Sequence, residues 1–274
     1  MTSQIAKPSS VLLSIFRTFK AEYFKQISLT KAYPQNVIFS QILFFLTFIF
    51  FLNLADLLTG NFDPSLQAVF LIAFILWRIS LGIIQDTAFS ISDDLDWGTF
   101  EQIFIVGNSL SITSFGKSLF ITFYYLVRSL ILMTIIILTT QIAIPLNYAI
   151  VSIFFISLLS SIGLALLIVS FQIIYKNISS TVAALTTILF FTSGALTSLK
   201  DDTWLYAFTR LLPLSSGIDL IRTTYLNSYS FSEVVQLSSF IEVLFNSFFY
   251  FFAGWLSLLW AQKKATEIGS LGHY

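Results

Sequence analysis

GTFEQIFIVGNSLSITSFGKS, residues 98–118, is a polar island of 21 residues between two long apolar stretches, and it closes on Gly116-Lys117-Ser118. As a nucleotide-binding loop it would need Gly-x-x-x-x-Gly-Lys-[Ser/Thr] between a strand and a helix, so that backbone N–H groups wrap the phosphates. The first glycine position is instead Ser111, no buried strand precedes it, and an apolar helix-length run follows. The island therefore reads as a connection between two membrane spans, with Lys117 at the mouth of the second, where its long side chain can snorkel to the headgroups.

The whole chain supports that reading. Of 274 residues 56% are hydrophobic and 10% charged, against about 25% charged in a typical soluble domain. The mean hydropathy of +0.86 is spread over most of the length. That calls for several spans, since each needs about 20 mostly apolar residues. Fourteen basic and 14 acidic side chains cancel, which gives no electrostatic basis for binding nucleic acid. With no cysteine, and a single histidine at position 273, thiolate chemistry is excluded and a His-based triad or zinc site is not expected.

Six spans are expected, at 37–55, 66–91, 118–138, 148–174, 178–196 and 240–261. They are preceded by a basic amphipathic helix in which Val11, Leu12, Ile15, Phe16, Phe19 and Tyr23 face away from Ser14, Arg17, Lys20 and Lys25. Such a helix lies in a membrane interface. No secretory signal is expected, as the first 36 residues hold no long apolar run. Residues 1–36 thus form an amphipathic N-terminal segment, 37–262 the membrane domain and 263–274 a tail. Lys and Arg gather in the N-terminal segment, at Lys117, at Lys176 and in the tail, while the first and third connections have none. The positive-inside rule then places both termini and the island in the cytoplasm. The fifth connection is too apolar for a free loop. It is expected to form short external helices dipping into the outer leaflet, two of them separated by Pro213.

Within the island, Asp93, Asp94 and Asp96 precede Gly98, and Thr99 can cap a short helix that presents Phe100, Ile103, Phe104 and Val106 beside Glu101 and Gln102. That pattern fits an element plugging into a partner's groove, and equally an interfacial helix resting on lipid. Arg78 and Arg128 each fall near the middle of an expected span, where insertion costs about 2.5–3.5 kcal/mol. Either they pair across helices, for instance with Glu242, or they face a translocation path and meet an anionic substrate group. Arg210, Asp219 and Arg222 lie in the fifth connection, where Asp219 and Arg222 have the i, i+3 spacing of a local ion pair.

Gly98-Thr99-Phe100-Glu101-Gln102 resembles the Gly-Thr-Leu-Glu-Gln element of permeases of the ABC-2 type transporter family. Phe-Thr-Ser-Gly-Ala-Leu at 191–196 and Thr-Arg-Leu-Leu-Pro-Leu-Ser-Ser-Gly-Ile-Asp-Leu-Ile-Arg at 209–222 are similar to that family's second signature. The second run leans toward its drug and lipo-oligosaccharide exporter branch. Residues 197–202, Thr-Ser-Leu-Lys-Asp-Asp, depart from the Phe-Pro-like pair expected there. The resemblance covers nearly the whole chain. It implies an all-α integral membrane protein of six spans, with a cytoplasmic coupling helix between spans two and three and re-entrant external helices before span six.

It also implies a non-enzymatic permease subunit working as a dimer with a second copy or a paralogue. Two separate ABC ATPase subunits would bind ATP and Mg and dock on residues 98–103, and an amphipathic, drug-like or glycolipid substrate would move outward. The host would be a bacterial inner membrane or a plastid membrane. The alternative is a six-span secondary transporter or channel with no ATPase, which mid-membrane broken helices and paired acidic residues within spans would favour.

Overall fold

The computed structural model describes residues 8–59, 63–98, 109–144, 147–175, 178–194 and 204–268. They form ten helices and, among the described residues, no strand: α1 (Pro8–Ala32), α2 (Pro34–Thr59), α3 (Pro64–Asp96), α4 (Leu110–Thr140), α5 (Tyr148–Tyr175), α6 (Ser179–Thr192), α7 (Trp204–Leu211), α8 (Ser215–Leu226), α9 (Phe231–Gln236) and α10 (Ser238–Ile268). Five of them, α2, α3, α4, α5 and α10, are long and apolar enough to cross a membrane. The fifth expected span, 178–196, is described as the 14-residue α6. At 1.5 Å per residue that is about 21 Å, short of a hydrocarbon core about 30 Å thick.

Helix α3 is the axis of the bundle. It is apolar all round from Ala68 to Trp77 and buried throughout that stretch, which is how a helix enclosed by others reads. It starts on Asp63, whose carboxylate accepts from Ser65 N at 3.1 Å, with Pro64 in the first turn, where a missing N–H costs nothing. It stops where Trp97 and Gly98 turn back to Asp93 and Leu95, and Gly98 takes φ +68, the left-handed conformation glycine adopts without strain.

Around this axis, small residues set the closest approaches. A Cβ on Gly163 of α5 would run into the backbone of Tyr250 and Phe251 in α10, and one on Gly254 into the carbonyl of Gly163. The two backbones therefore cross in contact, the arrangement small residues permit in apolar surroundings. Ser161 Oγ donates to Ser80 Oγ at 2.8 Å between α5 and α3, and Ser170 and Ser257 bond between α5 and α10. Tyr125 of α4 lies on Gly82 of α3, and Ser157 of α5 faces Gly217 of α8.

The chain before α10 is not a free loop. Helices α7 and α8 are separated by Leu212–Leu214, with Pro213 between them and Leu214 held at φ 78. Helix α8 is buried at Ile218, Leu220 and Ile221. Helix α9 opens on a capping box in which the Ser230 N–H and hydroxyl both donate to the Glu233 carboxylate at 2.7 Å. Those two bonds hold the Glu233 carboxyl below its ordinary pKa.

The expected N-terminal amphipathic helix is α1, and one side of it packs on the bundle. Phe19 packs edge-on against Phe120 of α4 at 5.2 Å, while Leu12, Phe16 and Phe24 on its other flank stay exposed, as a face toward lipid would. Helix α4 begins at Leu110, so the last nine residues of the polar island are helical. Its N-terminus is secured from α10. The Gln262 side-chain carbonyl accepts from Ser111 N at 3.1 Å, Ser111 Oγ at 2.7 Å and Ser109 Oγ at 3.2 Å. Gln262→Ala removes an acceptor shared by three donors. It is expected to destabilise the protein by about 1–2 kcal/mol, read as a lowered unfolding midpoint in detergent.

Candidate functional site

Three polar clusters stand on this frame, at the α1–α3–α4 corner, across the arginine layer and in the connection before α10. The expected docking element is represented at the first corner by Gly98, the turn that ends α3. Thr99, Phe100, Glu101, Gln102 and Ile103 lie outside the described residues.

Gly116-Lys117-Ser118 sits inside helix α4 and forms no phosphate loop. Each residue has a local role there. A Cβ on Gly116 would come within 3.0 Å of Thr18 Cβ and 3.4 Å of the Ile15 carbonyl, so glycine lets α1 cross here. Lys117 does not snorkel as expected. It is 4% exposed, pairs with Asp94 of α3 and with Glu22 of α1 at 3.3 Å, and donates to Ser90 Oγ at 3.0 Å. Two carboxylates with several oxygens to satisfy hold this ammonium better than headgroups would. One buried cation thus joins three helices.

Deeper in the bundle, Arg78 and Arg128 share a layer. Arg78 is 2% exposed and lies about 21 Å along α3 from Pro64, and Arg128 lies about 18 Å along α4 from Thr140. Glu242 is not their partner, since its carboxylate accepts from Arg210 at 2.9 Å. Arg78 donates from Nη2 to Gln41 Oε1 at 3.2 Å, and its guanidinium lies 3.4 Å from the centre of the Phe44 ring and 5.6 Å from that of Tyr125. A desolvated cation on an aromatic face gains about 2 kcal/mol, which offsets much of the insertion cost.

Gln41 Nε2 continues the chain of bonds to the Arg128 carbonyl at 2.8 Å. Arg128 donates to Tyr124 OH at 3.2 Å and to the Val37 carbonyl at 3.3 Å. The layer is therefore also the depth at which α2 begins. Asp86 stands behind Tyr125, whose hydroxyl donates to it at 2.7 Å, and among the described residues no carboxylate lies within 4.0 Å of either guanidinium. Both Nε groups are buried without a hydrogen-bond partner.

In the connection before α10, Arg210 bridges Asp219 at 3.6 Å and Glu242 at 2.9 Å, tying α7 to α8 and α10. Arg222 is 3.8 Å from Asp219 but makes its shorter bond, 2.7 Å, to the Gly194 carbonyl after α6. Burial pushes the Arg222 guanidinium below its ordinary pKa, and the charge of Asp219 pulls it back up. Pro213 lies between the two short helices that carry these groups.

Gln41, Phe44, Tyr124 and Tyr125 in the arginine layer, and Glu22 and Gln262 at the α4 corner, were not singled out from the sequence. Gln and Phe in an apolar run look like any span, and only a charge with no local partner, such as Arg78, announces that something must meet it. Among the described residues no cluster of three or more His, Cys, Asp or Glu could hold a metal ion. Compared with models of known protein families and with curated proteins, the chain matches none.

Proposed function

We propose that the chain is the membrane subunit of an ATP-driven exporter of the ABC-2 type, moving an amphipathic substrate outward, and that the ATP and Mg chemistry belongs to separate ATPase subunits. The observation that carries the reading is the Gly-Thr-Phe-Glu-Gln run at 98–102, placed between two membrane-length helices, α3 and α4. Supporting it are the Leu-Pro-Leu turn and Asp-x-x-Arg of residues 212–222, carried on short helices between α6 and α10.

In this reading the subunit has six spans, with α6 and the residues after it supplying the fifth in order, and α7 and α8 dip into the outer leaflet. It works as a dimer with a second copy or a paralogue, in a bacterial inner membrane or a plastid membrane, with both termini on the cytoplasmic or stromal side. Residues 98–103 dock the ATPase, Glu101 by charge and Phe100 and Ile103 as apolar anchors. Closure of two ATPases around ATP tilts the paired permeases, and this chain makes or breaks no covalent bond.

Glu101→Arg tests it. The variant is expected to extract and migrate like wild type on size exclusion, while losing the co-purifying ATPase and its transport-coupled ATP turnover. Wild-type coupling in that variant would sink the assignment.

A further inference from the structure

The second half of α1 does not seal against α4. Between them runs an open groove of about 440 Å³, walled by Tyr23, Ile27, Phe120, Phe123 and Val127 and edged by Lys31. It adjoins a hollow of about 250 Å³ with which it shares Gln26, Thr30 and Tyr124, and which ends against Asn36 and Arg128. One end of this trough is hydrocarbon. The other is cationic.

The charge at that end has no ion-pair partner in contact among the described residues. Arg128 bonds only neutral oxygens, on Tyr124 and Val37, and keeps a buried Nε without a partner. Lys31 is exposed on the rim and has no carboxylate within 4.0 Å among the described residues. Asp86, which accepts from the Tyr125 hydroxyl, offsets one of the layer's two arginine charges without touching Arg128, and a net positive charge remains. Helix α2 starts beside the hollow, so the positive end of its dipole adds to the same potential. Phe24 on the neighbouring face of α1 is exposed, and so are Leu29 and Tyr33, which line the hollow, so the trough opens on the lipid-facing flank.

A free phosphate would meet the cations but gain nothing from the aromatic wall, and a neutral chain would leave the cations unmet. We propose that this trough holds an anionic phospholipid, its acyl chain along Phe123 and Val127 and its phosphate toward Arg128 and Lys31. The lipid fills the gap between α1 and α4 and neutralises the excess positive charge beside the start of α2.

The test uses the full chain in nanodiscs of phosphatidylcholine alone or doped with phosphatidylglycerol, with unfolding midpoint and native mass spectrometry as readouts. Wild type is expected to gain several degrees from phosphatidylglycerol and to retain one such lipid. Arg128→Gln combined with Lys31→Gln should lose both effects, and Lys20→Gln combined with Lys25→Gln, on the same helix but off the trough, should lose neither. Val127→Trp, which blocks the apolar wall and leaves every charge in place, should also release the lipid. Soluble glycerol phosphate should give no gain. The proposal is overturned if the trough variants keep the phosphatidylglycerol gain, if the control pair loses as much as they do, or if glycerol phosphate matches the lipid.

Discussion

Gly163→Leu is expected to separate α5 from α10 and to cost at least about 3 kcal/mol, the upper end of the usual overpacking penalty. What the new side chain meets is the backbone of Tyr250 and Phe251. Backbone cannot rotate aside as a side-chain tip can, so the two helices must move apart. The damage spreads beyond the crossing. The Ser161–Ser80 and Ser170–Ser257 bonds lie within two turns of Gly163 on the same helix, and Ser157, which faces Gly217 of α8, is under two turns away. Gly254→Leu should have a similar effect, because its Cβ would enter the Gly163 carbonyl. Phe252→Leu, on the outward face of the same stretch where Phe252 is 56% exposed, should change stability by less than about 0.5 kcal/mol. Thermal unfolding in detergent separates these outcomes, and equal midpoints for Gly163→Leu and Phe252→Leu would rule out a backbone-contact crossing.

Lys117→Met should be the most disruptive change to the polar frame. The lysine side chain is 5% exposed and its partners Glu22 and Asp94 are 14% and 16% exposed, so removing the cation leaves two carboxylates poorly hydrated and facing each other. Breaking a buried pair from one side costs about 3–5 kcal/mol. The low end applies here, because both acids retain some water. The same principle makes a second, opposite expectation. Replacing all three groups, as Glu22→Gln, Asp94→Asn and Lys117→Met together, should recover most of the loss, since no unpaired charge remains. Limited proteolysis of α1 would follow the midpoint, increasing in the single variant and returning toward wild type in the triple. A single variant as stable as wild type would show that the cluster contributes nothing to holding α1.

Much of the membrane frame is legible in the chain, because span-length apolar runs leave few alternatives in lipid. The expected 37–55, 66–91 and 240–261 all fall inside α2, α3 and α10. The helices run further, to Asp96 in α3 and from Ser238 to Ile268 in α10, because hydropathy marks the depth of hydrocarbon, and a polar end that can still hydrogen-bond continues the helix past it. At 178–196 the described helix α6 is shorter than the apolar run, 14 residues ending at Thr192.

The polar sites divide along the same line. Arg78 stands out alone, because a charge in an apolar run is conspicuous. Its partners Gln41 and Phe44 come from another span and carry no local mark. Lys117 sat in plain view with the wrong role attached, since Glu22 is 95 positions away and only tertiary packing brings it near.

The same corner has a mechanical consequence. Residues 99–108 are bounded by the end of α3 and the start of α4, and those two ends are fastened to each other by Asp94 and Lys117, to α1 by Glu22 and to α10 by Gln262. The two helix ends that flank this segment are thus anchored to four helices rather than left to fray singly.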